Sequence, residues 1–352
     1  MQAVILVGGE GTRLRPLTYA IPKPMAPLLG RPFIGWIIER LRAAGVDEII
    51  LSCCYMPEAI EAYFGDGSKH GVKLHYVFEE EPLGTAGAVK NAVHKVSGSF
   101  YVCNGDILTA VDLVALREAH RRHSAIATIH TRKVDDPSQF GVVETDPDGK
   151  VRRFVEKPKP GETDARDINA GTYVLEPEAL DAIPTHHKVS IERETFPKLI
   201  SETRRVYAVS TNDYWIDVGR PQTYVQAHRD ILDGTFEQPV GKCVGEKIWS
   251  ADGHALRNGG NVQGPAYIGA HVELERGARI GPYAVLYDGC RIAQGATVSS
   301  SILWPSCFVG ARANVRDAIL GLDVAVDPDV TVEPGSVVGR GERISAKSGT
   351  PS

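Results

Sequence analysis

The sequence predicts two folds in tandem: an α/β unit built on a mostly parallel sheet, followed by a parallel β-helix. Three observations carry that expectation. Short β-branched runs alternate with amphipathic helical segments over the first two-thirds of the chain, a glycine-rich turn directly follows the first run, and from about Asn261 aliphatic residues recur every six positions. A length of 352 residues is long for one hydrophobic core, which agrees with two domains.

Taken in order, Ala3-Val4-Ile5-Leu6-Val7 is short, continuous and β-branched, the pattern of a buried strand. Similar runs stand at Glu48–Ser52, Leu74–Phe78, Ser99–Cys103, Ala125–His130 and Gly171–Leu175. Between the first two, Ile34, Ile37, Ile38 and Leu41 repeat at helical spacing over Phe33–Ala44, and Gly45 supplies the stop. Such alternation builds βαβ units, whose ligands sit at the carboxyl ends of the strands. Ser190 fits the N-cap of a helix, and Gln222–Leu232 is helical in pattern.

In the last third, Val262, Ile268, Leu274, Ile280, Leu286, Ile292 and Val298 keep a six-residue interval. After a one-residue slip the series resumes at Leu303, Val309 and Val315, and again at Val326, Val332, Val338 and Ile344. This period is neither helical nor a strand alternation; it belongs to a β-helix whose triangular coils take three hexapeptides each. The expected division is therefore a first domain over 1–235, a linker or early coil over 236–260 and a β-helix over 261–352.

Composition narrows the function. A formal net charge of -5 argues against general nucleic-acid binding. The six cysteines show no Cys-x-x-Cys spacing and read as reduced, mostly buried thiols. Ala3–Val7 is too short for a signal peptide or a membrane span, so the expectation is a soluble, cytoplasmic protein with no membrane partner.

Chemistry concentrates after the first strand. Gly8, Gly9 and Gly11 precede Arg13, Arg15 and Lys23. Glycines let backbone N–H groups turn toward phosphate, and the cations supply the charge a polyphosphate requires. The spacing is neither a Walker A loop nor a dinucleotide fingerprint. Asp106 follows the strand Phe100–Cys103 and the turn Asn104-Gly105, while Asp217 sits in a second short apolar segment ending in Gly219. Two aspartates converging on a triphosphate suit Mg²⁺, which keeps phosphate oxygens and water as its other ligands; Mn²⁺ is the alternative. No catalytic triad is evident and none is needed for such chemistry.

Residues 8–25 closely resemble the signature of sugar-1-phosphate nucleotidyltransferases. Family-like motifs recur in order at Glu79–Gly87, Asn104-Gly105-Asp106, Phe140–Val143, Phe154–Pro158, Asn169-Ala170-Gly171 and Trp215–Gly219. The resemblance implies a Rossmann-like nucleotidyltransferase domain in which Leu6, Gly8, Gly9, Gly11, Thr12 and Arg13 wrap a nucleoside triphosphate. It implies catalytic roles for Arg13, Lys23 and Asp106 and a metal held by Asp106 and Asp217. Glu79, Gly84 and Thr85 would meet the nucleotide near its base, and Gly141, Glu156, Lys157, Asn169 and Gly171 the sugar 1-phosphate.

The form Glu-Glu-x-Pro-Leu-Gly-Thr, with Val189–Pro197 further on, looks most like mannose-1-phosphate guanylyltransferases with a left-handed β-helix tail. A carboxylate at Glu79 could accept from guanine N1–H and N2–H₂. The implied reaction joins GTP and mannose 1-phosphate to give GDP-mannose and pyrophosphate. Glucose-1-phosphate thymidylyl- or uridylyltransferases share nearly all the motifs and remain open alternatives. A non-catalytic subunit that senses nucleotide sugar is opposed by the intact Arg13, Lys23, Asp106 and Asp217. Acyl transfer from coenzyme A on the β-helix is opposed by a single histidine, His271, within the repeat. The β-helix is then more simply an assembling or regulatory platform, and a homo-oligomer is expected.

Overall fold

A computed structural model describes residues 1–346 other than 54, 80, 93, 95, 182, 186, 238 and 254–260. Cys54, Glu80 of the acidic turn and parts of the expected connection and tail lie outside the described residues. The chain divides into two compact units, Met1–Glu10 with Ile34–Asp217, and Gly11–Phe33 with Val218–Ser352.

The first unit is built on a nine-stranded sheet. Its parallel half runs Lys73–Phe78, Glu48–Cys53, Gln2–Leu6, Phe100–Asn104, in register so that Leu6 lies beside both Ser52 and Asn104. Val4, Ile5, Ile49, Ile50 and Val102 are wholly buried, which is why these strands read as continuous apolar runs. The other half is antiparallel. Asp167–Leu175 pairs with Phe100–Asn104, Ala127–Lys133 and Gly141–Thr145, and the last of these forms a hairpin with Val151–Glu156. Short connections of this kind can only return a strand antiparallel. Val206–Thr211 lies parallel to Ala127–Lys133. Helices Phe33–Ala43, Gly84–Ala92, Leu113–Arg122 and Phe196–Thr203 intersperse these strands. Phe100, Tyr173 and Phe196 anchor a core that the sheet shares with its helices.

In the second unit the helix Pro221–Asp233 precedes a β-helix of three parallel ladders. One ladder stacks Ile248–Ser250, Ala266–Ile268, Ala284–Leu286, Ile302–Leu303, Ile319–Leu320 and Val337–Val338. The six-residue aliphatics point inward: Ile280, Leu286, Ile292, Val298, Val309, Val315 and Val326 are all 1% exposed or less. The corners carry left-handed backbone at His271, Gly277, Tyr283, Gly289 and Gly295, then at Ser300, Ser306 and Arg312, then at Asp317, Asp323, Asp329, Gly335 and Gly341. The interval shortens from six to five at 295–300 and again at 312–317, so the register between coils drops from eighteen residues (Ala284 over Ala266) to seventeen (Ile302 over Val285). The slip visible after Val298 is the first of these short corners. The second accounts for the skipped step between Val315 and Val326, which Leu320 fills.

Cys103, Cys290 and Cys307 are buried free thiols, Cys243 is an exposed one, and Cys53 is buried. No helix among the described residues is long and apolar enough to cross a membrane.

Candidate active site

At the carboxyl end of the parallel half, Val7 N–H donates to the Ser52 carbonyl at 2.9 Å, and the chain then leaves the sheet through Gly8-Gly9. A Cβ added at Gly9 would meet nothing within 4 Å, so the loop is open at that point. In the other unit, Gly11 has φ 64 and would place a Cβ 2.8 Å from the Lys23 Cβ, and Thr18 Oγ1 donates to the Gly11 carbonyl at 2.9 Å. Glycine is required there both for the left-handed backbone and for the close approach to Lys23. Thr12 and Arg13 begin a short 3₁₀ turn, and Lys23, which is 9% exposed, opens another.

Asp106 is set by its neighbours in the chain. Gly105 N–H donates to the Leu6 carbonyl at 2.9 Å, and a Cβ at Gly105 would lie 2.5 Å from that oxygen, so only glycine lets this turn press against the end of Gln2–Leu6. Asp217 comes from far away in sequence. Its strand, Trp215–Asp217, pairs antiparallel with Ile107–Thr109, placing Asp217 opposite Ile107 and therefore beside Asp106. Both carboxylates are half-buried, and the neighbouring Asn104 Oδ1 is buried without a hydrogen-bond partner. Among the described residues no cluster of three or more His, Cys, Asp or Glu side chains could hold a metal unaided. Carboxylates and amide oxygens are hard donors of the kind a divalent cation takes, with phosphate oxygens and water as its remaining ligands, so the residue types here fit such an ion.

Glu79, almost buried, accepts from Ser52 Oγ at 2.9 Å through one carboxylate oxygen and from Leu83 N–H at 2.9 Å through the other. It therefore closes the 79–83 loop, leaving one lone pair on each oxygen. Gly84 has φ 69, and a Cβ there would lie 2.7 Å from the Val189 carbonyl. Thr85 Oγ1 donates to Glu192 at 2.8 Å and accepts from Ile191 N–H at 2.8 Å. The Glu79–Gly87 and Val189–Pro197 motifs are thus one stitched structure.

Gly141 and Glu156 face each other across a hairpin, and a Cβ at Gly141 would lie 2.7 Å from the Phe154 ring and 2.8 Å from Glu156 Oε2. Burial, reinforced by Glu192, raises the Glu156 carboxyl above its ordinary range, with Lys157 and Arg193 pulling the other way. Lys157 is exposed and has φ 52. Asn169 sits at a register shift in Asp167–Leu175, where it donates to Tyr173 OH at 2.8 Å and accepts from Gly171 N–H at 3.0 Å. Gly171, with φ 71, leaves no room for a Cβ against Ile107 and Asn104. Trp215 Nε1 donates to the Ala170 carbonyl at 2.9 Å, which ties this bulge to the Asp217 strand.

Sequence reasoning did not single out Glu192 and Arg193 as site residues. They lie on Ile191–Thr195, a π-helical turn capped by Ser190 Oγ, which accepts from Arg193 N–H at 3.2 Å; Glu194 in turn accepts from Ser190 N–H at 2.9 Å. The capping signal was readable. The wider turn, a feature common at functional sites, was not.

Residues 2–234 match the family model described as Nucleotidyl transferase, and residues 262–348 match one described as GMPPB C-terminal domain. The chain is 39% identical to a mannose-1-phosphate guanylyltransferase of Mycobacterium tuberculosis, over 85% of this chain and 83% of that protein. It is 38% identical to mannose-1-phosphate guanylyltransferase 1 of Arabidopsis thaliana, over 96% of each. A UTP–glucose-1-phosphate uridylyltransferase of Synechocystis is 35% identical over 91% of this chain and 87% of its own length. Among solved structures, HddC from Yersinia pseudotuberculosis complexed with GMP-PN superposes with a TM-score of 0.56 at 35% identity, covering 65% of this chain and 98% of that one. By sequence over most of its length and by fold, this chain belongs to the nucleotidyl transferase family.

Proposed function

We propose that this protein transfers the guanylyl group of GTP to mannose 1-phosphate, giving GDP-mannose and pyrophosphate. The observation that carries this reading is the likeness to mannose-1-phosphate guanylyltransferases over sheet unit and β-helix together, 96% of both chains in the Arabidopsis case. The guanine nucleotide named with HddC supports the same base.

In this reading a phosphate oxygen of mannose 1-phosphate attacks the α-phosphorus of GTP, the bond to the bridging oxygen breaks, and pyrophosphate leaves. No covalent enzyme intermediate is required, so the residues align the reactants and neutralise charge. The Gly8–Gly11 backbone cradles the triphosphate, while Arg13 and Lys23 meet its negative charge. Asp106 and Asp217 would hold a divalent cation, Mg²⁺ or Mn²⁺, whose chemistry is to neutralise the phosphates around the reacting centre. Glu156 accepts from sugar hydroxyls, and Lys157 with Arg193 faces the sugar's phosphate. Glu79 offers guanine N1–H and N2–H₂ the lone pairs that Ser52 and Leu83 leave.

The test is pyrophosphate release from GTP, ATP, UTP and dTTP, each with mannose, glucose and N-acetylglucosamine 1-phosphates. GTP with mannose 1-phosphate should give the highest kcat/KM. Preference for UTP or dTTP with glucose 1-phosphate would establish the second reading, which the Synechocystis relative favours.

A further inference from the structure

Arg13 and Lys23 lie on a segment, Gly11–Phe33, that packs within the same unit as the β-helix. Near its end Pro27-Leu28 pairs antiparallel with Arg31-Pro32 around a two-residue turn, Leu29 at φ 46 and Gly30 at φ 97. Left-handed backbone at both central positions is the type I′ geometry, which suits glycine and asparagine but not leucine. Something outside the turn must hold it.

The β-helix does so. Leu29 N–H donates to Tyr287 OH at 2.8 Å, and a Cβ on Gly30 would lie 2.5 Å from the Val240 Cβ and 2.9 Å from Tyr267 OH. The hydrogens behind this contact follow from elementary chemistry. His228 Nδ1 lies 2.8 Å from the Tyr224 carbonyl, which only accepts, so Nδ1 carries the proton. Burial pulls the imidazole down to about 4, so the ring is neutral and Nε2 accepts from Tyr287 OH at 2.9 Å. On a second branch Trp304 Nε1 donates to Tyr224 OH at 3.0 Å, and Tyr224 OH donates to the Pro27 carbonyl. The two hydroxyls also interact with each other, and both branches end on the backbone beside the turn. At the other end of the segment, a Cβ on Gly339 would lie 3.2 Å from the Pro16 Cβ, so a late coil of the β-helix abuts Pro16.

We propose that the β-helix is a positioning element of the transfer reaction: Tyr287, His228, Tyr224 and Trp304 hold the segment that brings Arg13 and Lys23 to the triphosphate. The inference rests on the nucleotidyl-transfer reading above. Tyr287→Phe keeps the ring and removes the hydroxyl, which strands Leu29 N–H. Amide hydrogen exchange over residues 11–33 should then accelerate, and KM for GTP should rise, each about tenfold. KM for mannose 1-phosphate should stay within about twofold of wild type.

Trp304→Phe, which removes the donor to Tyr224 together with part of the buried ring, should move the same two quantities by a smaller factor. It carries the test if Tyr287→Phe does not fold. Val315→Ala, in the apolar interior of the β-helix, is the control: it should lower the unfolding temperature while leaving exchange over 11–33 and KM for GTP unchanged. Unchanged exchange in Tyr287→Phe, or an equal rise of KM for GTP in Val315→Ala, would overturn the proposal. If the wild-type protein transfers no nucleotide, the activity reading fails, and the exchange measurement still decides whether the β-helix holds the segment.

Discussion

The interior of the β-helix and the interior of the sheet unit differ in how they treat buried polarity. The β-helix core is filled mainly by Ala, Val, Ile, Leu and Cys side chains. Its buried Ser301 donates to the Ser299 carbonyl at 2.8 Å and accepts from Ala318 N–H at 3.1 Å, and the neighbouring Tyr224, Tyr287, His228 and Trp304 each have a partner, while Arg229 Nε, outside that core, is buried and unbonded. The sheet unit instead leaves Asn104 Oδ1, His130 Nδ1 and Thr195 Oγ1 buried and unbonded among the described residues. A scaffold has no use for unmet polarity, because each orphaned group costs about 1–3 kcal/mol. A site that completes its shell with substrate and metal does, and Asn104 stands two residues from Asp106.

The largest expected effect tests that contrast at the metal. Asp106→Asn and Asp217→Asn should each lower turnover at saturating Mg²⁺ by about 100-fold or more, while unfolding temperature changes little. Near-normal turnover in either variant would remove that residue from the site. Gly141→Ala comes next: its Cβ would meet Phe154 and Glu156, so KM for the sugar phosphate should rise about tenfold while KM for GTP holds. An equal rise for both substrates would mean general distortion.

Inside the β-helix, Val315→Thr should destabilise by about 1–3 kcal/mol in denaturant titration, because its hydroxyl would stand among the apolar side chains that surround Val315. An unchanged midpoint would show that the interior tolerates polarity after all.

A pH measurement sharpens the sugar pocket. The Glu156 carboxyl is raised from 4.5 in the folded state, so the native protein holds this proton more tightly than the unfolded chain. The stabilisation this gives is complete below 4.5 and is lost as pH rises through the raised value. If Glu156 accepts from the sugar hydroxyls as proposed, it does so in its ionised form, and kcat/KM for mannose 1-phosphate should fall on acidification through that window. Glu156→Gln should lack the inflection; an identical profile would assign it to another group. The smallest effect is Thr195→Val, which removes an orphaned hydroxyl at nearly constant shape and should be neutral or stabilising by up to about 1 kcal/mol. A clear loss of stability would reveal a partner for that oxygen.

Much of this was legible in local pattern. Strand Gln2–Leu6, helix Phe33–Ala43, the Ser190 cap and the inward aliphatics all follow from period and end signals that involve near neighbours only. What was not legible depends on pairings remote in sequence. The strand Trp215–Asp217 shows itself as a short apolar segment, but it pairs with Ile107–Thr109 more than a hundred positions earlier, and nothing local names that partner. The engagement of Glu79 with Ser52 and Leu83 is likewise tertiary, and the motif alone shows a carboxylate with nothing attached. That Gly11–Phe33 groups with the C-terminal unit rests on Tyr287 and Gly339, which local propensity cannot reach.

The two five-residue corners of the β-helix say something about which lengths the chain tolerates. At 295–300 and 312–317 the loss of one residue is absorbed where the backbone already turns left-handed, and the aliphatics on either side, Val298, Leu303, Val315 and Leu320, still point inward. A residue lost from a flat side would instead reverse inside and outside for the rest of that strand. Length variation in this repeat is therefore expected to collect at the edges of the prism, so that insertions and deletions trace its three corners as faithfully as the aliphatics trace its faces.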